Sequence, residues 1–314
     1  MKKNVTIIST IFFLIYIFSG CQIAITDNEI INSSWVFVAN EGAYGASNGS
    51  ISMIDDFGNV YETDEIGDVV QSIEVYENKL IVLVNNSHKI KIYDITPEGL
   101  SMPGIEISTE DSSPREMVII NDMLYFTNWN TEDVKAFNLY TYNIDAEIPV
   151  GSKPEGLITD GTYLWVANSG NSTISKININ SQSVEFIEVG QGPQNLIEHN
   201  GDIYVSRTYY SEDWSKTYHG ASKIKTGTEV EVLINNYGNG GACGGSVLIH
   251  EDNVYRSFNG GLSRMDDDLN LEETIIGNYD QSQVYHIEKI NGNFWFALTN
   301  YDDLNEIRVI NNDG

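Results

Sequence analysis

Five histidines are the residues of this sequence best suited to acid–base or metal chemistry, namely His88, His199, His219, His250 and His286. They have no metal-ligand spacing, and the sequence contains neither a Gly-x-Ser-x-Gly nucleophile motif nor a phosphate-binding loop. The run Asp266-Asp267-Asp268 lacks the further oxygen ligands that calcium needs and reads as a solvated turn. We therefore predict no catalytic site, no metal and no cofactor.

An enzymatic alternative remains open. His219 and His286, together with Glu155 or Glu41, would supply a general acid and a general base if the fold brought them together. No sequence spacing indicates that it does.

A second group of residues is suited to binding. Residues 207–219 form an insertion that is rich in tyrosine and tryptophan, with Arg207 at its start and His219 at its end. Rigid amphipathic rings in a polar, extended loop are typical of ligand and protein interfaces. The alternative is that these rings pack on neighbouring loops and cap a channel. The predicted ligand-binding residues are Tyr44, His88, Trp129, Arg207, Tyr209, Tyr210, Trp214, Tyr218, His219, Tyr285 and Tyr301.

Three arginines, Arg115, Arg207 and Arg256, are expected near the mouth of the channel that this insertion would border. In a chain with 17 basic and 45 acidic residues, ion pairing is the commoner outcome for them. The alternative is that they hold the polar edge of a ligand. Gln194 and Asn195 are expected on neighbouring loops of this mouth.

The elements that must position these residues come from a repeat. An apolar run of about five residues, often followed by Asn, recurs seven times. Its equivalent positions are Val36, Leu80, Leu124, Leu164, Ile203, Val254 and Phe294. A period near 40 residues is typical of a propeller blade with four strands. We predict an all-β fold, a single seven-bladed β-propeller of four-stranded antiparallel blades over residues 21–314.

The fourth repeat shows the pattern within a blade. Strands are predicted over 153–158, 163–167, 173–179 and 183–189, with turn residues between them at hairpin distance. The first repeat begins near its second strand, and the last ends after its third. We therefore predict that a strand over 22–26 completes the seventh blade and closes the ring. A six-bladed ring with frayed ends is the alternative.

The first twenty residues have the pattern of a lipoprotein signal peptide. Lys2 and Lys3 precede an apolar run from Ile7 to Phe18, and small residues then lead to Cys21. We predict that Cys21 carries a lipid and that this lipid is the protein's contact with a membrane. An ordinary cleaved signal with an incidental cysteine is the alternative. Cys243, in a glycine-rich run, then has no partner, and we expect it to be structural.

Charge narrows the range of partners. The formal net charge is −28, so nucleic acid and anionic membrane surfaces would be repelled over most directions of approach. We predict no nucleic-acid binding. A dense acidic surface is otherwise a feature that favours solubility.

The repeat resembles the YncE-like, YVTN-type β-propellers of exported bacterial proteins. Residues 36–42 with 48–52, and 71–73 with 84–90, are similar to a branch of surface lipoproteins. That resemblance implies an outer-membrane location at the cell surface and an association with TonB-dependent transporters. Some relatives bind cobalamin, and lactonases and streptogramin lyases also have seven blades of this kind.

Together these observations favour a non-enzymatic surface lipoprotein. It would capture a small nutrient, with a corrinoid as the first ligand to test, or dock on an outer-membrane transporter. A protein–protein scaffold of an envelope complex and a lactonase- or lyase-like enzyme are the alternatives.

Overall fold

The strands form seven antiparallel sheets in chain order, which we number as blades 1 to 7. The computed structural model describes residues 34–227, 229–239, 245–258, 260–272, 276–280, 283–300 and 305–311. No α-helix occurs in these ranges. The molecule is a seven-bladed β-propeller, as the repeat predicted. The signal peptide, Cys21, the predicted closing strand over 22–26 and Cys243 lie outside the described residues.

The first strand of a blade is the one nearest the channel. First strands are described in blades 2 to 7: β4 (Val70–Tyr76), β9 (Pro114–Ile120), β13 (Pro154–Thr159), β17 (Pro193–His199), β21 (Val247–His250) and β24 (Val284–Ile290). Second strands occur in all seven blades: β1 (Val36–Asn40), β5 (Lys79–Val84), β10 (Met123–Asn128), β14 (Tyr163–Asn168), β18 (Asp202–Tyr210), β22 (Asn253–Phe258) and β25 (Asn293–Thr299).

The outer half of each blade is more variable. Third strands are β2 (Ser50–Ile54), β6 (Lys89–Thr96), β11 (Asp133–Asn138), β15 (Thr173–Asn178), β19 (Thr217–Lys225), β23 (Gly261–Arg264) and β26 (Asn305–Ile310). Fourth strands are β3 (Val60–Glu62), β8 (Ile105–Ser108), β12 (Asn143–Pro149), β16 (Val184–Glu188) and β20 (Glu231–Asn239), and the short β7 (Gly99–Leu100) also pairs with β6. Within the described residues, blades 2 to 5 therefore have at least four strands and blades 1, 6 and 7 have three.

Alternating residues of one strand pack against two different blades. In β14, Trp165 and Ala167 join a buried cluster with blade 5, whereas Leu164 and Val166 join a cluster with blade 3. This follows from the period of two in a strand, because successive side chains point to opposite faces of the sheet. Blades 2 to 6 are thus each buried on both faces by their neighbours, which a single four-stranded sheet could not achieve.

The turn into each first strand has the same backbone geometry in four consecutive blades. The residue before the strand lies in the left-handed region, with φ values of 60° at Val69, 56° at Ser113, 47° at Lys153 and 67° at Gly192. A register shift between the first and second strands follows in blades 2, 3, 4, 5 and 7. Such bulges redirect side chains at the end of a strand, here towards the mouth of the channel.

The first and last blades of the described chain contact each other, which closes the ring. The Tyr285 hydroxyl of blade 7 donates a hydrogen bond of 2.6 Å to Oε1 of Glu41, directly after β1 in blade 1. Blade 7 therefore contacts blade 1 at the mouth.

The first strands of blades 4 and 5 approach each other closely at Gly156. A Cβ on Gly156 would lie 2.3 Å from the carbonyl oxygen of Gln194, which is backbone and cannot rotate away. We predict that Gly156→Ala lowers the free energy of unfolding by about 1–3 kcal/mol, as overpacking does. Denaturant unfolding measures this. Gly227→Ala is the matched control, because nothing lies within 4 Å of its added Cβ. Equal stability of the two variants would contradict the close packing.

Candidate functional site

A cleft of about 590 Å³ lies at the mouth of the channel, where blades 3, 4 and 5 meet. Its floor comes from the loops at 169–172 and 191–192, and one wall is the β18–β19 hairpin from Thr208 to Trp214. The other wall consists of four side chains, Arg115, Trp129, Lys153 and Glu155. The volume lies within the range of small-molecule sites, about 300–1,000 Å³.

An ion pair between blades 3 and 4 forms the base of this second wall. The Arg115 guanidinium donates to both Glu155 carboxylate oxygens, at 2.5 to 3.1 Å. It also donates to the Gln71 amide oxygen of blade 2. The two charged side chains are only 17% and 10% exposed, so the pair is shielded from solvent. It links three successive blades at the mouth.

Trp129 covers this ion pair. Its indole Nε1 donates to Glu155 Oε2 at 2.7 Å. Its ring faces the Arg115 guanidinium, whose Cζ lies 4.2 Å from the ring centroid. Such a cation–π contact is worth about 0.5–2 kcal/mol, more when desolvated. The indole is thereby held in one orientation with an edge on the cleft.

The local backbone positions these groups through Thr127. Its hydroxyl donates to the Glu155 carbonyl of blade 4 at 2.8 Å and accepts from the Glu116 N–H of blade 3 at 3.1 Å. Thr127 is fully buried. A single hydroxyl thus ties the second strand of blade 3 to the first strands of two blades.

The aromatic insertion is a hairpin, which corrects the expectation of an extended loop. Strands β18 and β19 continue in register beyond the body of blade 5, with Tyr209 opposite Tyr218 and Tyr210 opposite Thr217. The rings of Tyr209 and Tyr218 stack at 5.2 Å with an interplanar angle of 16°. Cross-strand aromatic pairs of this kind stabilise antiparallel ladders, which explains why a polar insertion rich in tyrosine extends the strands.

The hairpin tip presents an exposed aromatic pair. Tyr210 is 45% exposed and Trp214 73% exposed, and their rings lie 5.1 Å apart. The Asp213 carboxylate orders the turn by accepting hydrogen bonds from the Ser211 hydroxyl and from the Ser215 hydroxyl and N–H. These bonds lower the pKa of Asp213 to about 2, so the turn keeps its carboxylate at all ordinary pH values.

The predicted binding residues divide into two groups in the structure. Trp129, Tyr209, Tyr210 and Trp214 line the cleft together, and Tyr218 supports them by stacking on Tyr209. The others lie apart from this cleft.

Four of these other residues belong to blades 1, 2, 5 and 7. His88 connects blades 2 and 3, since its Nδ1 accepts from the Ser113 N–H at 3.1 Å. Tyr285 is bonded to Glu41 on the far side of the mouth. Tyr44 is 81% exposed on blade 1, and His219 is 2% exposed inside β19. Tyr301 lies outside the described residues.

Two of the three arginines do not form the expected ion pairs. Arg115 pairs with Glu155, but Arg207 and Arg256 contact no carboxylate within the described ranges. Arg207 donates to backbone carbonyls and the Asn236 side chain, and the Nη2 of Arg256 donates to the Arg207 carbonyl at 2.9 Å. Burial lowers the pKa of Arg256 to about 10. Both are structural cations that lie inside blades 5 and 6, away from the cleft lining.

Sequence reasoning missed Lys153 and Glu116. Lys153 would have been found by aligning the turns into the first strands, where it is equivalent to Ser113 and Gly192. Glu116 follows Arg115 in β9, and burial raises its pKa to about 7, with the Glu155 carboxylate adding to the effect. Charged groups of blades 1, 4 and 7, namely Glu41, Glu155 and His286, also act on this carboxyl.

The structure does not assemble the acid–base group suggested above. His219 is buried within blade 5, whereas His286 lies in blade 7 beside Ser246 and Glu288. Glu41 and Glu155 are each bonded to other partners. In the part of the chain that the structure describes, no cluster of three or more His, Cys, Asp or Glu could hold a metal ion. Nor does that part contain a helix of the length and apolarity needed to cross a membrane.

Comparisons with known proteins support the fold. No protein-family model and no curated protein matches the sequence. The structure is similar to a protein of Bacteroides fragilis assigned as a 6-phosphogluconolactonase, with 13% identity, a TM-score of 0.62, and coverage of 79% of this chain and 82% of the other.

Two further structures have comparable similarity. A protein of unknown function from Desulfotomaculum acetoxidans has 11% identity and a TM-score of 0.64, with coverage of 90% of this chain and 93% of that one. BamB from Moraxella catarrhalis has 11% identity and a TM-score of 0.57, covering 84% and 79%. At these identities the likeness establishes a β-propeller fold and nothing about activity.

The raised pKa of Glu116 predicts how stability depends on pH. The folded state binds this proton more tightly than the unfolded state, whose pKa is near 4.5. The protonated carboxyl therefore stabilises the fold at low pH, and this contribution is lost as the pH rises from about 4.5 through 7. We predict that Glu116→Gln is more stable than the wild type at pH 8, by about 2 kcal/mol, and equal to it at pH 4.

Denaturant unfolding at both pH values checks this prediction. Glu229→Gln, at an exposed turn position, is the control and should not change the difference between the two pH values. A Glu116→Gln variant with the pH profile of the wild type would contradict the raised pKa of Glu116.

Proposed function

We propose that this protein is a non-enzymatic binding protein that captures a small amphipathic ligand in the mouth cleft. The observation that carries the proposal is the hairpin of blade 5, which holds Tyr210 and Trp214 exposed opposite the wall formed by Trp129 and the Arg115–Glu155 pair. Exposed aromatic rings on an ordered scaffold lose little conformational entropy when a ligand packs on them. Polar groups on the facing wall would orient that ligand.

The ordering of the hairpin supports binding in preference to a cap over the channel. A capping segment would bury its rings on neighbouring loops, but Trp214 keeps 73% of its surface exposed. The strand pairing extends to Tyr210 and Thr217, so the hairpin tip lies beyond the paired body of the blade. Large exposed rings grouped at a cleft mark interaction sites.

The ligand that we propose to test first is a corrinoid. The support is the resemblance of the repeat to YncE-like surface lipoproteins, some of which bind cobalamin. A broad amphipathic ring system would lie across Tyr210 and Trp214 and place one edge in the cleft of about 590 Å³. Glycans are the second class to test, because they also stack on exposed aromatic side chains.

For location, we propose an outer-membrane lipoprotein exposed at the cell surface and anchored through Cys21 alone. The predicted strand over 22–26 follows Cys21 directly, without a linker, so the propeller would stay close to the membrane. A TonB-dependent transporter is the partner that fits this position, because it would receive the captured nutrient. A scaffold in an envelope complex would use the same mouth for a protein ligand.

The anchor leads to a simple prediction. Cells fed a labelled fatty acid should incorporate the label into the wild-type protein. Cys21→Ser should abolish this incorporation, because the Cys21 thiol is the acceptor. Cys243→Ser is the control and should stay labelled. Labelling that survives Cys21→Ser, or is absent from the wild type, would contradict lipidation at Cys21.

An enzymatic function is the second candidate, and Glu116 is the observation that favours it. A carboxyl whose pKa is raised to about 7 is suited to general acid–base catalysis. One protein of similar fold is assigned as a 6-phosphogluconolactonase. Lactone hydrolysis by the wild type that Glu116→Gln abolishes would replace the binding proposal.

The binding proposal is tested by a thermal-shift screen of residues 22–314 against corrinoids, glycans, haem and siderophores. A ligand specific for the folded state adds about 2.7 kcal/mol of stability at a hundredfold excess over its Kd. We predict that Trp214→Ala weakens binding of the stabilising ligand at least tenfold, about 1.4 kcal/mol. Titration calorimetry measures this loss.

The matched control is Tyr140→Ala. Tyr140 is 79% exposed, like Trp214, but lies in the turn between β11 and β12, away from the cleft lining. It should bind as the wild type does. A ligand that binds equally well to both variants would show that the hairpin tip is not its site. If nothing in the panel binds, the result would favour the scaffold alternative.

A further inference from the structure

The charges of the cleft are unevenly arranged. The Arg115 guanidinium is neutralised by Glu155. Lys153 lies on the same wall, is exposed, and forms no ion pair within the described part of the chain. Its Nζ lies 5.5 Å from the centroid of the Trp129 ring. Lys153 is therefore the cationic group of this wall that is available to a ligand.

The backbone at Lys153 is fixed. Ser169 donates two hydrogen bonds to the Lys153 carbonyl, from its N–H at 3.0 Å and from its hydroxyl at 2.8 Å. Lys153 has a φ of 47°, and Pro154 begins β13 directly after it. Because the repeat requires this left-handed turn, the side chain leaves the backbone from a defined point at the rim of the cleft.

The hairpin tip at the other end carries Glu212, Asp213 and Lys216, which give it a net charge of −1. Glu212 is exposed in the hairpin tip, beside the aromatic pair, whereas Glu155 on the Lys153 wall is already bonded to Arg115 and Trp129. An anionic group entering the cleft is thus attracted to the Lys153 wall and repelled from the tip. A flat apolar group is best placed on Tyr210 and Trp214.

We propose that the cleft takes a ligand with a flat ring system joined to a phosphate or carboxylate group, with the anion bound by Lys153 and the ring on the Tyr210–Trp214 pair. This inference rests on the proposed binding function and narrows its ligand class. Lysine binds phosphate as a point charge without a demanding geometry, which suits an open cleft. The net charge of −28 repels anions over most of the surface, so the position of Lys153 would determine where an anionic group binds.

Riboflavin and flavin mononucleotide form a matched pair of probes for the test. They share one flat ring system, and only the second carries a phosphate. Quenching of flavin fluorescence during titration of the full mature domain measures both affinities. We expect flavin mononucleotide to bind at least tenfold more tightly than riboflavin to the wild type. We expect Lys153→Gln to remove that difference, by weakening flavin mononucleotide at least tenfold more than it weakens riboflavin.

Two variants complete the design. Lys176→Gln is the matched control, because its ammonium lies over Tyr163 and Trp165 in blade 4, outside the cleft lining, and it should preserve the tenfold difference. Trp214→Ala should weaken both flavins by the same factor. Melting temperatures verify that each variant is folded.

Other results distinguish a failure of the proposed ligand class from a failure of the proposed binding function. Equal affinity of the two flavins for the wild type, failure of both to bind, or a preference for the phosphate that survives Lys153→Gln would overturn the anionic ligand class. If a neutral ligand from the wider panel then binds and its binding depends on Trp214, the proposed binding function stands without the anionic ligand class. If no ligand depends on Trp214, both proposals fail.

Discussion

The close contact between neighbouring first strands is the constraint on which the rest of the mouth depends. At Gly156 the strand β13 comes so near to β17 that a single added carbon would meet the Gln194 carbonyl at 2.3 Å. This approach brings the ends of blades 4 and 5 together, and Glu155 joins them to blade 3 through Arg115, while Gln194 lines the cleft. The cleft is a consequence of how tightly the ring packs.

Charge and packing reinforce each other at this point. The Arg115–Glu155 pair is covered by Trp129 and joined to Gln71, so its partners are fixed on three blades. Breaking a shielded pair leaves an uncompensated charge and costs about 3–5 kcal/mol. A wall of this kind is rigid. The opposite wall is also ordered, because paired strands and the Asp213 turn hold the aromatic tip in place. A ligand would meet a preformed site, which reduces the entropy lost on binding.

The sequence predicted the repeat and most strands because apolar alternation and turn residues recur with a regular period. The four strands of blade 4 lie within one or two residues of their predicted bounds. The pattern did not reveal the hairpin extension, since pairing beyond Tyr209 depends on a ring stack across strands. Nor did it reveal that Arg207 and Arg256 are buried without carboxylates. Those arrangements depend on carbonyls of distant residues, such as Asn235, that have no sequence signature.

Hydrogen–deuterium exchange with and without the ligand that most stabilises the protein tests the central claim, that the cleft between blades 3, 4 and 5 is the binding site. We predict slower exchange at the hairpin from Thr208 to Trp214 and in the loops at 169–172 and 191–192, with little change on the opposite face of the ring. Protection confined to blades 1 and 7, or to the outer strands, would contradict it.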